Sequence, residues 1–224
     1  MPKILDCLSK APVFSKLTEH ERTDLAAVAT ENKYGKDEYV CWQGEVWPYV
    51  AYIASGHLEW AMLSPEGRRQ VMFALHPCDV VWGHSVVDGL SMPASLEVRE
   101  DTVLYLWARD SILPIIHQNA QASWDVANIL IQYMRNVREV VYGFAFHPVA
   151  GRLARLLLTH YNATDGQLAP RNLTLDQMAD MVGTTRELIS RTLHRFADEG
   201  LVHVNRVEFA FLDRERLESL ARGD

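Results

Sequence analysis

Glu187, Ser190 and Arg191 are the residues of this chain whose types and spacing most directly suggest chemistry. Standing at i, i+3 and i+4, they project to one side of a helix. A carboxylate can accept from cytosine N4, a guanidinium can donate twice to guanine O6 and N7, and a hydroxyl can meet either kind of base edge. Such a trio could read base sequence in a DNA major groove. An isolated Glu-x-x-Ser-Arg is more commonly a solvated helix face, so the argument rests on the elements that present it.

Those elements form a helix-turn-helix. Thr174 is a candidate N-cap for a helix that places Leu175, Met178, Ala179 and Val182 on one apolar face. Gly183 breaks it, and a second helix begins after the cap candidate Thr185, burying Ile189, Leu193 and Phe196. Its outer face carries Arg186 beside the reading trio. After Gly200, alternating strands at Leu201 to Val204 and Val207 to Leu212 flank Asn205-Arg206, which predicts a wing with Arg206 at its tip, placed for phosphate. Asp213 to Ala221 predicts a closing helix. Upstream, Val149 to His160 reads as an amphipathic helix with Val149, Leu153, Leu156 and Leu157 inward, followed by a loop from Asn162 to Leu173. The expected DNA-contacting set is Thr185, Arg186, Glu187, Ser190, Arg191 and Arg206.

At 224 residues and 48% hydrophobic, the chain can bury a core in one to two domains. It has no run of 18 or more apolar residues, so no membrane span is expected. Its start, MPKILDCLSKAPVF, lacks the basic and continuous apolar regions of a secretory signal, which reads as a mature cytoplasmic protein. The net charge of -7 is unusual for a DNA-binding chain. The acid lies mostly in front: residues 148 to 224 hold 10 Arg and no Lys against 11 Asp plus Glu. Affinity would then need a local concentration of Arg152, Arg155, Arg186, Arg191, Arg195 and Arg206. Cys7, Cys41 and Cys78 are widely spaced, without Cys-x-x-Cys, and read as free thiols in a reducing compartment.

Residues 1 to 31 read as a helical preface, best at Leu17 to Thr30 with Thr18 as cap and Glu21 three residues on. From Lys33 to Leu106 short apolar runs alternate with turn signals. Strands are predicted at Tyr39 to Trp42, Val50 to Ala54, His57 to Leu63, Arg69 to Leu75, Ser95 to Glu97 and Thr102 to Trp107, with a turn at Ser55-Gly56, forming an antiparallel roll. Gln121 to Phe146 follows as one long helix. Ala127, Leu130, Met134, Val137, Val141 and Phe144 recur three and four apart as a coiled-coil seam, predicting a homodimer. A second stripe, Val126, Ile129, Tyr133 and Val140, lies beside it. His147-Pro148 predicts a hinge. The expected fold is α+β, with a sensor-like antiparallel β-roll over 1–120, a dimerisation helix and hinge over 121–147, and a winged helix-turn-helix over 148–224.

From Phe14 to Ala221 the chain resembles the CRP/FNR family of bacterial transcription regulators. The resemblance rests on FSKLTEHE, YIASGHL, SPEGRRQVMFALHP, FAFHPVAGRLARLLL and MVGTTRELISRTLHRFADEGL, in the family's order. It implies a roll built like a cyclic-nucleotide-binding domain and a dimer that binds a palindromic promoter site in double-stranded DNA. RNA polymerase is the implied partner, and activation the implied outcome. The Glu-x-x-Ser-Arg arrangement is similar to the FNR branch, whose half-sites resemble TTGA, and implies Glu187, Ser190 and Arg191 as base readers.

The input to that reader is less plain. In the family, cyclic nucleotide is held by a cassette that begins Gly-Glu and ends Arg-Ser or Arg-Ala. The matching positions here look like Gly83-His84 and Ala94-Ser95, within WGHSVVDGLSMPAS, so both charged anchors are missing and cyclic AMP is not expected. Pro77-Cys78-Asp79 stands where the family has Pro-Gly-Asp. An iron-sulfur cluster of the FNR type needs four cysteines and is not expected either. Haem held by His76, Cys78 or His84 is one alternative; another is a changed or lost effector site, with regulation by abundance or thiol oxidation. Trp42, Trp47, Trp60, Trp82 and Trp107 fall in or beside the roll as core residues, and Trp82 at the cassette mouth would fill the space of a nucleotide base. From a different class, a cupin-like metal enzyme would use His57, His76 and His84, but these lack the close His-x-His spacing with a following carboxylate.

Overall fold

The computed structural model describes residues 4–223; the first three residues of the helical preface and the last residue of the C-terminal region fall outside the described residues. The chain divides into two compact units, one made of residues up to Gly67 and Val71–Val137, the other of Arg68–Gln70 and Arg138 onward. The long helix is therefore shared between the units, where the sequence places boundaries at either side of it.

The first unit opens with α1 (Ile4–Lys10), α2 (Pro12–Ser15) and α3 (Glu19–Val28). Thr18 caps α3 as the sequence predicts, accepting from the Glu21 amide while the Glu21 carboxylate accepts from the Thr18 amide. The strands are β1 (Thr30–Tyr34), β2 (Tyr39–Cys41), β3 (Tyr49–Leu63), β4 (Arg69–Leu75), β5 (Val80–Trp82) and β6 (Ser95–Ala108), with α4 (His84–Asp88) before β6 and α5 (Arg109–Gln118) after it. They make one antiparallel sheet in the order β1-β6-β3-β4, with β2 on β6 and β5 on β3. The predicted pairs of short strands are in fact two long ones. β6 pairs with β3 from Tyr49↔Ala108 to Ala61↔Ser95, and Ser55-Gly56 is an irregularity within β3, not a turn. Gly56 is required there: its φ is +96, and a Cβ on it would run into Thr102.

The sheet is covered on both faces, which its strands show by parity. Val50 and Tyr52 of β3, Val80 and Trp82 of β5, and Tyr105 and Trp107 of β6 pack with the helices, against Phe14, Leu25 and Ile112. Ala51, Ile53, Val81, Leu104 and Leu106 face the interior of the roll with Trp60, Leu75 and Leu96. Trp107 fixes α3 by donating its indole N–H to the Leu25 carbonyl at 2.8 Å.

The long helix is α6 (Ala120–Phe146), followed by α7 (Val149–His160) after the break at His147-Pro148. The second unit continues with β7 (Ala169–Pro170), α8 (Leu175–Val182), α9 (Arg186–Asp198), β8 (Val202–Val204), β9 (Glu208–Phe211) and α10 (Arg214–Arg222). Its core joins Leu153, Leu157, Met178, Val182, Ile189, Leu193, Phe196, Phe209 and Phe211. The wing strands β8 and β9 pair antiparallel, and β7, inside the predicted loop, adds a third strand against β9.

Candidate nucleic-acid interface and sensor interior

The helix-turn-helix is assembled from local signals. Thr174 and Gln177 form a reciprocal capping box at the start of α8. Gly183 ends α8 in the left-handed region at φ +69, donating its amide to the Ala179 carbonyl at 2.8 Å. The Thr185 hydroxyl then accepts from the Leu188 amide to open α9. Ile189, Leu193 and Phe196 are buried, which turns the opposite face outward: Arg186, Glu187 and Arg191 are exposed and Ser190 half-buried.

The electrostatics of that face are preset. Hydrogen bonds from its own backbone N–H and from the Thr185 hydroxyl, with Arg186 and Arg191 nearby, hold the Glu187 carboxyl below the usual carboxylate range. It is ionised and aimed before any DNA arrives. Arg191 makes no hydrogen bond or ion pair among the described residues, so its guanidinium is available. Arg186 is not: its Nη1 lies 3.0 Å from Asp176 Oδ2, so a phosphate would have to compete for it.

At the wing, the Asn205 side-chain carbonyl accepts from the amides of Val207 and Glu208 at 2.8 Å each, shaping the turn that exposes Arg206. Arg171, which sequence reasoning left in a loop, donates Nη1 to the Asn205 carbonyl at 2.9 Å. Arg171, Thr174, Arg186 and Arg206 line a cleft of about 440 Å³ at the start of α8. An arginine three residues before the Thr174 cap was the signal available for it. A phosphate entering the cleft would meet guanidinium groups and a helix N-terminus.

Two of the expected DNA arginines serve the fold instead. Arg152 donates Nε to the Val182 carbonyl at 2.9 Å and Nη1 to the His147 carbonyl at 2.9 Å, tying α7 to the end of α8; burial lowers its pKa. Arg155 faces His147 Nε2 at 3.1 Å, the Ala221 carbonyl at 3.3 Å and Glu139 at 3.9 Å. Both face the carbonyl ends of helices, where cations are favoured. Phe144, counted in the dimer seam, lies under the Arg152 guanidinium at 4.6 Å and against Gly183, so it supports the helix-turn-helix. The rest of the seam differs along α6: Ala127 and Leu130 are half-buried, while Met134, Val137 and Val141 are exposed, Met134 by 72%.

Within the roll, the positions matching the nucleotide cassette are packed. Ala94 and Ser95 are buried, and the Ser95 hydroxyl accepts from the Gln43 amide at 2.9 Å. A Cβ on Gly83 would strike Trp47. The His84 ring sits 5.2 Å from Trp60, and Trp60, Phe73 and Tyr133 contact one another at 5.3 to 5.5 Å between centroids. Tyr133 is fixed there, accepting from the Trp82 amide at 3.3 Å and donating to the Val80 carbonyl at 2.9 Å. Trp82 itself points the other way: Val81 enters the roll and the Trp82 side chain joins the helices, so it does not fill the space of a base. Trp47 and Trp60 are buried in the roll interior, with Tyr34, Phe73 and Tyr133 packed against that cluster. Trp42 is exposed and stacks on Tyr39 at 3.5 Å.

The expected haem ligands are dispersed by role. His76 and Cys78 lie in the turn between β4 and β5, with the His76 ring 4.7 Å from His57. Burial lowers the pKa of His57 and of His84. The rings beside His84 are in mutual contact, so a flat macrocycle would have to displace them, and these residues do not fit haem. No cluster of three or more His, Cys, Asp or Glu suited to a metal ion occurs among the described residues. Cys7 and Cys41 are buried and Cys78 exposed, burial pushing the Cys41 thiol up to about 12. The dispersed spacing hid one meeting: Cys7 and Cys78 both lie beside the Tyr52 hydroxyl.

Comparison with known proteins agrees with this geometry. Residues 151–220 match the family model of the Crp-like helix-turn-helix domain, and residues 31–119 match that of the cyclic nucleotide-binding domain. A cyclic AMP receptor protein of Thermus thermophilus is 25% identical over 214 residues, spanning 95% of this chain and 98% of that protein. A CRP-like cAMP-activated global transcriptional regulator of Mycobacterium tuberculosis is 22% identical over 222 residues, spanning 97% and 99%. The solved structure of a regulator assigned to the CRP/FNR family from Eubacterium rectale shares the fold at a TM-score of 0.81 and 22% identity, covering 96% of this chain and 99% of that one.

Proposed function

The chain belongs to the CRP/FNR family of bacterial transcription regulators, and we propose that it binds a palindromic, FNR-like site in double-stranded DNA as a homodimer and activates transcription there without cyclic AMP. The family consists of transcription regulators and not enzymes, which removes the cupin-like reading. The observation that carries the proposal is the exposed face of α9, where an ionised Glu187, Ser190 and an unpaired Arg191 stand together on the second helix of a helix-turn-helix. Thr185 positions Glu187, while Arg206 and, once released from Asp176, Arg186 meet phosphate.

Dimerisation is supported by α6, which exposes Met134, Val137 and Val141 at coiled-coil spacing. A two-fold protein reads a two-fold site, one half-site per α9. The Thermus thermophilus and Mycobacterium tuberculosis relatives take their names from cyclic AMP. Independence from it here is supported by the missing Glu and Arg anchors and by the packing of Trp60, Phe73, Tyr133 and His84. RNA polymerase is the partner of an activator, and the cytoplasm, where bacterial DNA lies, is the place of action.

Selection of bound duplexes from a random pool tests the reading. An inverted repeat with TTGA-like halves is the expected outcome; a direct repeat, a single half-site or no enrichment would overturn it. Added cyclic AMP should leave the affinity for the selected duplex unchanged.

A further inference from the structure

Two of the three cysteines meet at a place that DNA binding does not use. Cys7 is on α1, 3% exposed, in the core cluster that also holds Tyr52 of β3. Cys78 is in the turn between β4 and β5, and its amide donates to the carbonyl of Ile53, the residue after Tyr52, at 2.9 Å. Strand parity sends the Tyr52 side chain toward the helices, and its hydroxyl ends between the two cysteines, hydrogen-bonded with both thiols. The sulfurs are thus no further apart than two hydrogen bonds through one oxygen. Cys41 belongs to the separate cluster of the roll interior.

The two thiols differ in access as an attacking and a resolving thiol must. Cys78 is exposed to a small oxidant, and its backbone is held at φ +77, a conformation that costs a cysteine and is kept at a functional position. Neither cysteine lies on α6, so the stripe assigned to the homodimer does not include them. Cys7 is shielded. Burial raises its pKa and the Tyr52 hydrogen bond lowers it, so the thiol is inert toward solvent while its thiolate has a donor waiting.

We propose that Cys7 and Cys78 form a reversible oxidation site for hydroperoxides, with Cys78 the thiol attacked first and Cys7 the thiol that closes a disulfide onto it. The Cys78 sulfur attacks the outer oxygen of the hydroperoxide, the O–O bond breaks, and water or an alcohol leaves, giving a sulfenic acid. The Cys7 sulfur then attacks the Cys78 sulfur, the S–O bond breaks, and the hydroxyl departs as water with the Cys7 proton. Two thiols give up two electrons and one hydroperoxide takes them. Closure requires the Cys78 side chain to swing past the Tyr52 hydroxyl, for which an exposed turn leaves room. The bond would staple α1 to the turn between β4 and β5. The site stands whether or not α9 reads the proposed operator, because oxidation is measured on the protein alone.

The test treats the reduced full chain with stoichiometric hydrogen peroxide until the peroxide is consumed, alkylates the remaining thiols, and maps unreduced tryptic peptides by mass spectrometry. The peptide Ile4–Lys10 should be found linked to the peptide Gln70–Arg99, and free thiols should fall from three to one, Cys41. Dithiothreitol should restore all three. Cys78→Gly should leave Cys7 reduced under the same treatment, and Cys7→Ser should leave Cys78 as a sulfenic acid that dimedone traps. Wild-type Cys78 carried on to sulfinic acid, a Cys78 link between two chains, a link to Cys41, or three thiols still free would each overturn the proposal. The wild-type map decides it even if a variant fails to fold.

Discussion

Arg191→Ala separates base reading from every other role of α9. Arg191 is exposed and makes no hydrogen bond or ion pair among the described residues, so its truncation removes only its attraction to the exposed Glu187 carboxylate, and stability should change by no more than about 0.5 kcal/mol. On a specific duplex, each bidentate arginine–guanine contact contributes about 1–3 kcal/mol of discrimination. A homodimer loses it twice, so the expected loss is about 2–6 kcal/mol, or roughly 30-fold to 10⁴-fold at about 1.4 kcal/mol per tenfold change. The assay is fluorescence anisotropy at fixed salt on the selected duplex and on duplexes substituted in each half-site. The variant should bind all of them with nearly equal, weak affinity. Arg206→Ala is the control: it should weaken every duplex alike and lower the salt slope by about 0.9 per lost phosphate contact. If Arg191→Ala weakens all duplexes by one common factor, Arg191 contacts phosphate and the assignment fails. If it lowers the thermal midpoint by many degrees, the side chain has a structural partner and the reasoning fails earlier.

Three further outcomes follow from the packing. Gly183→Ala should destabilise the winged helix by at least about 2 kcal/mol in denaturant titration, because the left-handed φ of +69 costs a non-glycine residue about 1–2 kcal/mol and the added Cβ meets Phe144. Cys78 should be the single thiol that reacts quickly with an aromatic disulfide reagent in the native protein, Cys41 reacting only in denaturant; Cys78→Gly should add about 1 kcal/mol of stability, since Cys78 sits at φ +77, where a non-glycine residue is strained. Burial depresses the pKa of His84 in the folded state, so the unfolded chain binds the proton more readily. The stabilisation is complete above the unfolded pKa, near 6.5, and is lost as pH falls through the folded pKa. Thermal midpoints should drop between pH 7 and pH 5, and by less in His84→Gln; an equal drop would refute the assignment.

The helices were legible because their signals are local. Thr18, Thr174 and Thr185 cap helices where the sequence places caps, and the stripes of α7, α8 and α9 match their buried faces. The roll was legible as a class but not in its register. Both faces of the sheet are covered, so runs such as YVAYIA carry little polar alternation and read as short strands with breaks. β1 escaped because Thr30–Tyr34 is a mostly polar strand, and α5 because Pro114 interrupts its pattern. Trp82 was misplaced for want of β5: once Val80–Trp82 is a strand, parity sends Val81 inward and Trp82 toward the helices. Phe144, Arg152 and Arg155 have partners on other elements of their unit, and no spacing in the sequence records that.

The arginines also explain how a region with no net positive charge can present a DNA-binding face. Of the acidic residues from Glu139 onward, Glu139 faces Arg155, Glu199 faces Arg195 and Arg216, Glu218 faces Arg214, and Asp176 faces Arg186. Arg152 is spent on carbonyls and Arg171 on the wing turn. Arg191 and Arg206 have no such partner among the described residues, and they occupy the reading helix and the wing tip. Nearby opposite charges cancel over distances shorter than the ~8 Å screening length of physiological salt, so a groove approaching α9 responds to the unpaired guanidinium groups more than to the sum over the region. The low total charge then weakens attachment to arbitrary DNA, which rests on the count of phosphates neutralised, while leaving base discrimination by Glu187 and Arg191 intact. A sparse set of unpaired arginines thus favours specificity over affinity, and places the burden of recognition on the three residues of α9.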